Sequence, residues 1–116
     1  MPDRANFAMA YAALRQQYSA HVKNVLVDLV NAAAEAEVAN PQPTLARLRR
    51  ELHQLAGSGG SFGYPALSQK ARALENRAEE WLQQKANPSP LEWAEWQAGL
   101  QALHQAISED AETETT

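Results

Sequence analysis

The sequence predicts an all-α protein, an antiparallel four-helix bundle. Alanine, leucine, glutamine, glutamate and arginine, all good helix formers, dominate the 116 residues. Apolar residues recur at steps of three and four in four stretches, which breaks containing proline or glycine separate. Four helices with one apolar face each must bury those faces against one another, and a bundle is the simplest arrangement that does so.

The first two helices are separated by a double-proline break. Residues 5 to 38 form the first predicted helix, and Asn40-Pro41-Gln42-Pro43 ends it because proline cannot continue an interior turn. Residues 44 to 62 form the second, which Asn40 or Thr44 is expected to cap. The expected apolar faces contain Phe7, Tyr11, Leu14, Tyr18, Val22, Val25, Leu29, Ala32 and Ala36 in the first helix, and Leu45, Leu48, Leu52, Leu55, Gly59 and Phe62 in the second.

The last two helices begin with proline. Gly63 suits a left-handed helix end and Pro65 a first turn, so the third helix is expected over residues 65 to 86. A capping box from Ser89 to Glu92 begins the fourth, over residues 90 to 108. Their expected apolar faces contain Leu67, Ala71, Leu74, Ala78 and Trp81, and Trp93, Trp96, Leu100, Leu103 and Ile107. Residues 1 to 108 are thus expected to form one domain, and the acidic residues 109 to 116 a disordered tail.

Composition argues against several classes of protein. The absence of cysteine excludes a disulfide scaffold and thiolate chemistry, and the net charge of −4 argues against nucleic acid as a partner. No apolar run approaches the roughly 18 residues of a membrane span, and Asp3, Arg4 and Asn6 interrupt the place of a signal core. We therefore expect a chain that binds neither nucleic acid nor membrane. A monomer in the cytoplasm is also expected.

The second helix has features that bundle stability alone does not require. At about 100° per residue, His53 lies roughly 130° from the centre of the apolar face and is expected to be exposed. Glycines inside a helix each cost up to about 1 kcal/mol relative to alanine, but they let another molecule's backbone approach. Arginine is the usual partner of phosphate and carboxylate groups. The residues expected to share the side of His53 are Ala46, Arg49, Arg50, Ala56, Gly57 and Gly60.

Plainer explanations exist for each of these features. A lone helical histidine is most often a polar surface residue, which is how we interpret His21 and His104. The glycines can mark a weak helix end or permit tight helix packing. The arginines can be solvated or pair with Glu51 and nearby acids. His53 stands out because exposure, small neighbours and positive charge coincide on one face.

The segment from His53 to Gly63, His-Gln-Leu-Ala-Gly-Ser-Gly-Gly-Ser-Phe-Gly, resembles the signature of histidine-containing phosphotransfer (HPt) domains. The resemblance covers about residues 7 to 80 and, more loosely, the last helix. Its other carriers are Arg15-Gln16-Gln17-Tyr18, Val25, Leu26, Leu29, Pro65, Leu67, Ala71 and Leu74-Glu75.

The resemblance implies a four-helix bundle with one exposed phosphoacceptor, His53. Such a domain accepts a phosphoryl group from an aspartyl phosphate of a receiver domain and relays it to another receiver. The neutral imidazole would attack through Nε2, and Glu75, at the family's position on the third helix, would orient the ring through Nδ1. The alternative from the sequence is a solvated Glu75 that pairs with Arg72 or with neighbours of Glu79.

The implied partners are receiver domains of response regulators or hybrid histidine kinases. Arg49, Arg50, Ala56, Gly57 and Gly60 are the expected docking surface and phosphoryl surroundings. Because receivers carry the Mg²⁺ that transfer needs, no metal or cofactor is expected on this chain. Many family members have lysine where this chain has Ala56, so the countercharge is expected from Arg49, Arg50 or the receiver.

The resemblance also implies a phosphocarrier without kinase activity of its own. The chain lacks a Walker motif, the α/β pattern of a receiver and the Glu-x-x-His pair of a di-iron bundle. The remaining alternative is a phosphotransfer-inactive helical bundle that docks receiver or kinase domains. His53 argues against it, because degenerate bundles of this kind commonly lack the acceptor.

Overall fold

Four helices follow one another in the computed structural model, which describes residues 2–36 and 39–114. They are α1 (Pro2–Glu35), α2 (Gln42–Ser61), α3 (Pro65–Gln84) and α4 (Pro90–Glu114), and this described part contains no strand. Each helix packs against two others, α1 on α2 and α4, and α3 on α2 and α4. The predicted four-helix bundle is confirmed; the predicted last residues of the first helix, 37 and 38, lie outside the described ranges.

The core consists mainly of leucine, as the helical periodicity predicts. All four leucines of the α2 face are buried, and α3 and α4 contribute their apolar faces as expected. Phe62, Leu74 and Trp93 are only half-buried and pack against the edge of this core. The largest fully buried side chains are Val22, Leu26, Leu29, Leu45, Leu48, Leu52, Leu67, Leu100, Leu103 and Ile107.

The prediction fails for the first turns of α1. Phe7, Tyr11 and Leu14 are 74%, 39% and 50% exposed, although they continue the apolar periodicity of the helix. Arg15 is already level with the turn between α2 and α3, because its guanidinium binds carbonyls of that turn. A helix of 34 residues is about 50 Å long and one of 20 residues about 30 Å, so α1 extends past its shorter neighbour.

The sequence signals for helix ends are confirmed at Gly63 and at the start of α4, but not at the start of α2. Pro41 is the N-cap of α2, so the expected caps Asn40 and Thr44 are wrong. Gly63 adopts a positive φ of 78°, as predicted for the end of α2. At α4, the Ser89 N–H donates to Glu92 and the Glu92 N–H donates to the Ser89 hydroxyl, at 2.9 and 3.1 Å. These hydrogen bonds, with Arg77 nearby, hold the pKa of Glu92 below its usual value.

The expectation of a disordered tail is wrong for residues 109 to 114, which continue α4; residues 115 and 116 lie outside the described part of the chain. Asp110 is 5% exposed, and its two carboxylate oxygens accept hydrogen bonds from the N–H groups of Ala66 and Leu67, at 3.1 and 3.0 Å. These donors lie in the first turn of α3, where helical N–H groups lack intrahelical partners. The acidic segment is therefore structural, because it caps another helix.

We predict that Asp110→Ala lowers the free energy of unfolding by about 0.5 to 2 kcal/mol, the range for loss of a helix cap. Asp110→Asn keeps one acceptor oxygen and should lose less. Shortening the chain after Ser108 should destabilise it at least as much as the alanine variant. Urea denaturation of the three variants measures this, and wild-type stability in the shortened chain would contradict it.

Candidate functional site

His53 projects from α2 on the side opposite to the buried leucines. Its side chain is 72% exposed, which confirms the exposure predicted from the helical periodicity. Leu52 and Leu55, its near neighbours in sequence, are buried at 0% and 5%. The imidazole therefore contributes little to the core and is accessible to another molecule.

Glu75 of α3 binds the His53 ring. Its Oε2 lies 2.7 Å from His53 Nδ1, and the Glu75 side chain is only 14% exposed. A carboxylate accepts hydrogen bonds, so this contact favours the neutral tautomer that carries its proton on Nδ1. The lone pair of that tautomer is on Nε2. The ion pair with Arg72 that was the alternative for Glu75 is not found.

The two arginines expected beside His53 have different surroundings. Arg49 Nε lies 3.2 Å from Glu79 Oε2, so this side chain is held against α3 one turn before His53. Arg50 is exposed on α2. Neither lines the depression next to the imidazole.

The glycines of α2 separate into two kinds. A Cβ built on Gly57 meets no atom within 4 Å, and one built on Gly60 meets only Ser68 Oγ at 3.7 Å. A Cβ on Gly59 would lie 3.4 Å from Ser68 N and Tyr64 O. Gly59 therefore serves close packing of α3 on α2, whereas packing does not explain Gly57.

The expectation that Ala56 shares the exposed side of His53 is wrong. Ala56 is 3% exposed because it follows Leu52 by one turn and faces α3. The Ser68 hydroxyl of α3 donates to the Ala56 carbonyl at 2.6 Å, which fixes the two helices together here. Ala46, also expected on that side, is half-buried.

A surface depression of about 270 Å³ lies beside His53, between α2 and α3. Its α2 side and Glu75 are the parts predicted from the sequence. The α3 residues on either side of Glu75 were not predicted, although they lie one turn before Glu75 and next to it on the same helix. The lining residues are His53, Ala56, Gly57, Arg72, Glu75 and Asn76.

Contacts from α1 anchor the end of α2 beyond the depression. Arg15 Nε donates to the Phe62 carbonyl at 2.9 Å, and its guanidinium lies over the Tyr64 ring, 4.6 Å from the centroid. Tyr18 stacks on Phe62 and shares a 2.7 Å hydrogen bond with Ser58, and burial raises the pKa of its phenol. These contacts satisfy carbonyls at the helix end and hold the glycine-rich segment in place.

The other two histidines have no comparable setting. His21 is exposed on α1 and His104 is half-buried on α4, and neither lines the depression. Across residues 2–36 and 39–114, no group of three or more histidines and carboxylates is placed to hold a metal ion. None of the helices in these ranges combines the length and the hydrophobicity of a membrane span.

Comparison with protein-family models matches residues 13–109 to the Hpt domain. The match covers most of the 116 residues, so the chain belongs to the Hpt domain family. Hpt domains are phosphocarriers that take part in histidine phosphotransfer in phosphorelays and interact with receiver domains. Comparisons with curated proteins and with solved structures found no match.

We predict that Glu75→Ala reduces the Nδ1-protonated fraction of neutral His53. The carboxylate that stabilises this proton is then lost, and the tautomer equilibrium shifts toward Nε2–H. Nitrogen-15 NMR of the imidazole measures the two fractions directly, with His21 as the internal control. An unchanged His53 spectrum would show that the contact does not select the tautomer.

We predict opposite consequences for two replacements of Gly57. Gly57→Ala should stabilise the fold by up to about 1 kcal/mol, because alanine is the better helix former and its methyl group meets no neighbour. It should leave receiver-dependent labelling near wild type. Gly57→Gln should also fold, but its side chain should slow labelling sharply by obstructing the approach to His53. Thermal unfolding and labelling rates test both, and wild-type labelling of folded Gly57→Gln would contradict the steric argument.

Proposed function

We propose that this chain accepts a phosphoryl group on His53 from an aspartyl phosphate of one receiver domain and relays it to another. The observation that supports this most strongly is the 2.7 Å hydrogen bond between Nδ1 and Glu75 on an otherwise exposed histidine. The hydrogen bond at Nδ1 orients the ring and favours one tautomer, and it leaves Nε2 accessible as the nucleophilic nitrogen. A nucleophile positioned by a neighbouring group is the usual arrangement for covalent catalysis.

The proposed step is an in-line displacement at phosphorus. The Nε2 lone pair forms the N–P bond while the P–O bond to the receiver aspartate breaks, and that aspartate leaves as a carboxylate. The imidazole keeps its Nδ1 proton and becomes positively charged. Glu75, which is largely shielded from solvent, balances that charge through its hydrogen bond. Reversal of these steps returns the group to a receiver.

The receiver is proposed to supply what this chain does not. Its acidic pocket and Mg²⁺ would neutralise charge on the transferring group, so we assign no metal, cofactor or autonomous kinase activity to this chain. Gly57 and Gly60 offer a low surface beside His53 on which the receiver's loops can dock. Arg50 is exposed, and we assign it to the edge of this docking surface. Arg49 is paired with Glu79 of α3, so its proposed contribution is to the positive charge near the site and not to a direct contact.

A single copy of the chain is sufficient for this mechanism, because His53 and Glu75 come from the same molecule. We therefore propose that it acts as a monomer. We also propose a cytoplasmic location, where receivers of response regulators and hybrid histidine kinases would be its partners.

We predict that His53→Gln abolishes labelling by phosphorylated receivers while the melting temperature stays near wild type. The exposed side chain contributes little to packing, so its replacement should cost little stability. A panel of receivers carrying radioactive aspartyl phosphate provides the donors. The label on the wild-type protein should be acid-labile and stable to base, as expected for a phosphoramidate.

Two controls define the outcome. His21→Gln should be labelled like wild type, and ATP alone should label neither protein. Undiminished labelling of His53→Gln would overturn the assignment of the acceptor. Receiver binding without transfer to the wild-type protein would instead identify a docking module that lacks phosphotransfer.

A further inference from the structure

The depression beside His53 has no positive charge on its α2 side. Ala56 and Gly57 form its floor, and neither has a charged side chain that could bind a phosphoryl group. A phosphoryl group on Nε2 carries up to two negative charges and three acceptor oxygens, which basic donors stabilise. Any cation that this chain provides must therefore reach the depression from another element.

The register of α2 and α3 shows where that cation is. Arg49 faces Glu79, His53 faces Glu75, and Gly60 faces Ser68. Each step of one turn forward along α2 matches a step of one turn back along α3, as expected of antiparallel helices. The position that faces Ala56 in this register is Arg72, which lines the depression with His53.

Arg72 is exposed and belongs to no ion pair among the residues that the structure describes. The other arginines near His53 are less suitable. The Arg49 guanidinium is engaged by Glu79 on the far side of Glu75, and Arg50 does not line the depression.

We propose that Arg72 is the phosphoryl-binding cation of this site, contributed by α3 across the small residues Ala56 and Gly57. This inference rests on the proposed function and identifies a further residue for it. Arginine suits the role because its planar guanidinium donates two hydrogen bonds to adjacent phosphoryl oxygens and stays protonated. Its length lets it extend over Ala56 and Gly57, because neither residue has a side chain larger than a methyl group.

In this mechanism Arg72 makes and breaks no covalent bond. It donates hydrogen bonds to oxygens of the phosphoryl group while the N–P bond forms and the P–O bond breaks. It favours the dianionic form of the group on His53, because a nearby positive charge opposes protonation. Its removal should therefore slow the transfer of a phosphoryl group to His53 from any donor.

The experiment uses two phosphoryl donors. Phosphoramidate modifies His53 without a receiver, and phosphorus-31 NMR at neutral pH then follows how fast the phosphohistidine signal appears. His53→Gln identifies which signal belongs to His53. Phosphorylated receivers provide the second donor, and labelling rates are compared for wild type, Arg72→Ala and Arg72→Lys. The matched control is Arg47→Ala, which removes one exposed arginine of α2 that does not line the depression.

For Arg72→Ala we expect the phosphoramidate-dependent rate and the receiver-dependent rate both to be about tenfold lower. Arg72→Lys keeps the charge but not the planar guanidinium, so both of its rates should be intermediate. Arg47→Ala should change neither quantity by a comparable amount. The same melting temperature in all variants would exclude a folding effect.

Unchanged rates with both donors in Arg72→Ala would overturn the proposal. Equal losses in Arg47→Ala would overturn it too, because they would indicate only an effect of net charge. If receivers fail to label the wild-type protein, the proposed function fails. The phosphoramidate-dependent rates still decide whether Arg72 assists phosphorylation of His53.

Discussion

The fixed register of α2 against α3 is the constraint on which the site depends. His53 and Glu75 are 22 residues apart in sequence and lie on different helices, yet their hydrogen bond is 2.7 Å long. If His53 or Glu75 stood one residue earlier or later on its helix, it would point about 100° away around the helix axis, and the two groups would not meet. Gly59 and the Ser68–Ala56 hydrogen bond bring the helix backbones together next to the site, so they set the distance that the imidazole spans.

Contacts from α1 and α4 maintain that register at the turn between α2 and α3. Arg15 binds two carbonyls of the turn, and Asp110 binds two N–H groups at the start of α3. Both are charged groups shielded from solvent, where hydrogen bonds to them are stronger than at the surface. The bundle therefore uses its outer helices to fix the geometry of the two helices that carry the site.

Features set by local periodicity were predictable from the sequence. The exposure of His53 follows from its angle to the leucines of its own helix, and the capping box of α4 lies within four consecutive residues. The proximity of Glu75 required the resemblance to Hpt domains, because periodicity alone does not give the register between helices.

Features that depend on what lies opposite a residue were not predictable. Phe7 continues the apolar periodicity of α1 but lies beyond the turn that ends α2, and Ala56 is buried because α3 covers it. Asp110 stands in an acidic segment of unremarkable composition, and its role exists only because α4 passes the first turn of α3. The sequence offered Arg72 only as an alternative partner of Glu75. Because Glu75 binds His53 instead, Arg72 lines the depression as a separate positive charge.

The site separates two requirements that conflict for a single side chain. A nucleophile that serves a large partner must be exposed, and exposure ordinarily leaves a side chain free to rotate. Here the imidazole is 72% exposed while the group that holds it is 14% exposed, so the restraint is on the inner nitrogen and the reactive nitrogen faces outward. Glu75 can restrain the ring because it belongs to α3 and its own position is fixed by helix packing.

With Arg72 one turn before Glu75 on the same helix, α3 would provide both the group that orients the nucleophile and the charge that binds the phosphoryl group. A small residue is then required at Ala56, because a long side chain there would occupy the space through which Arg72 must reach the phosphoryl group.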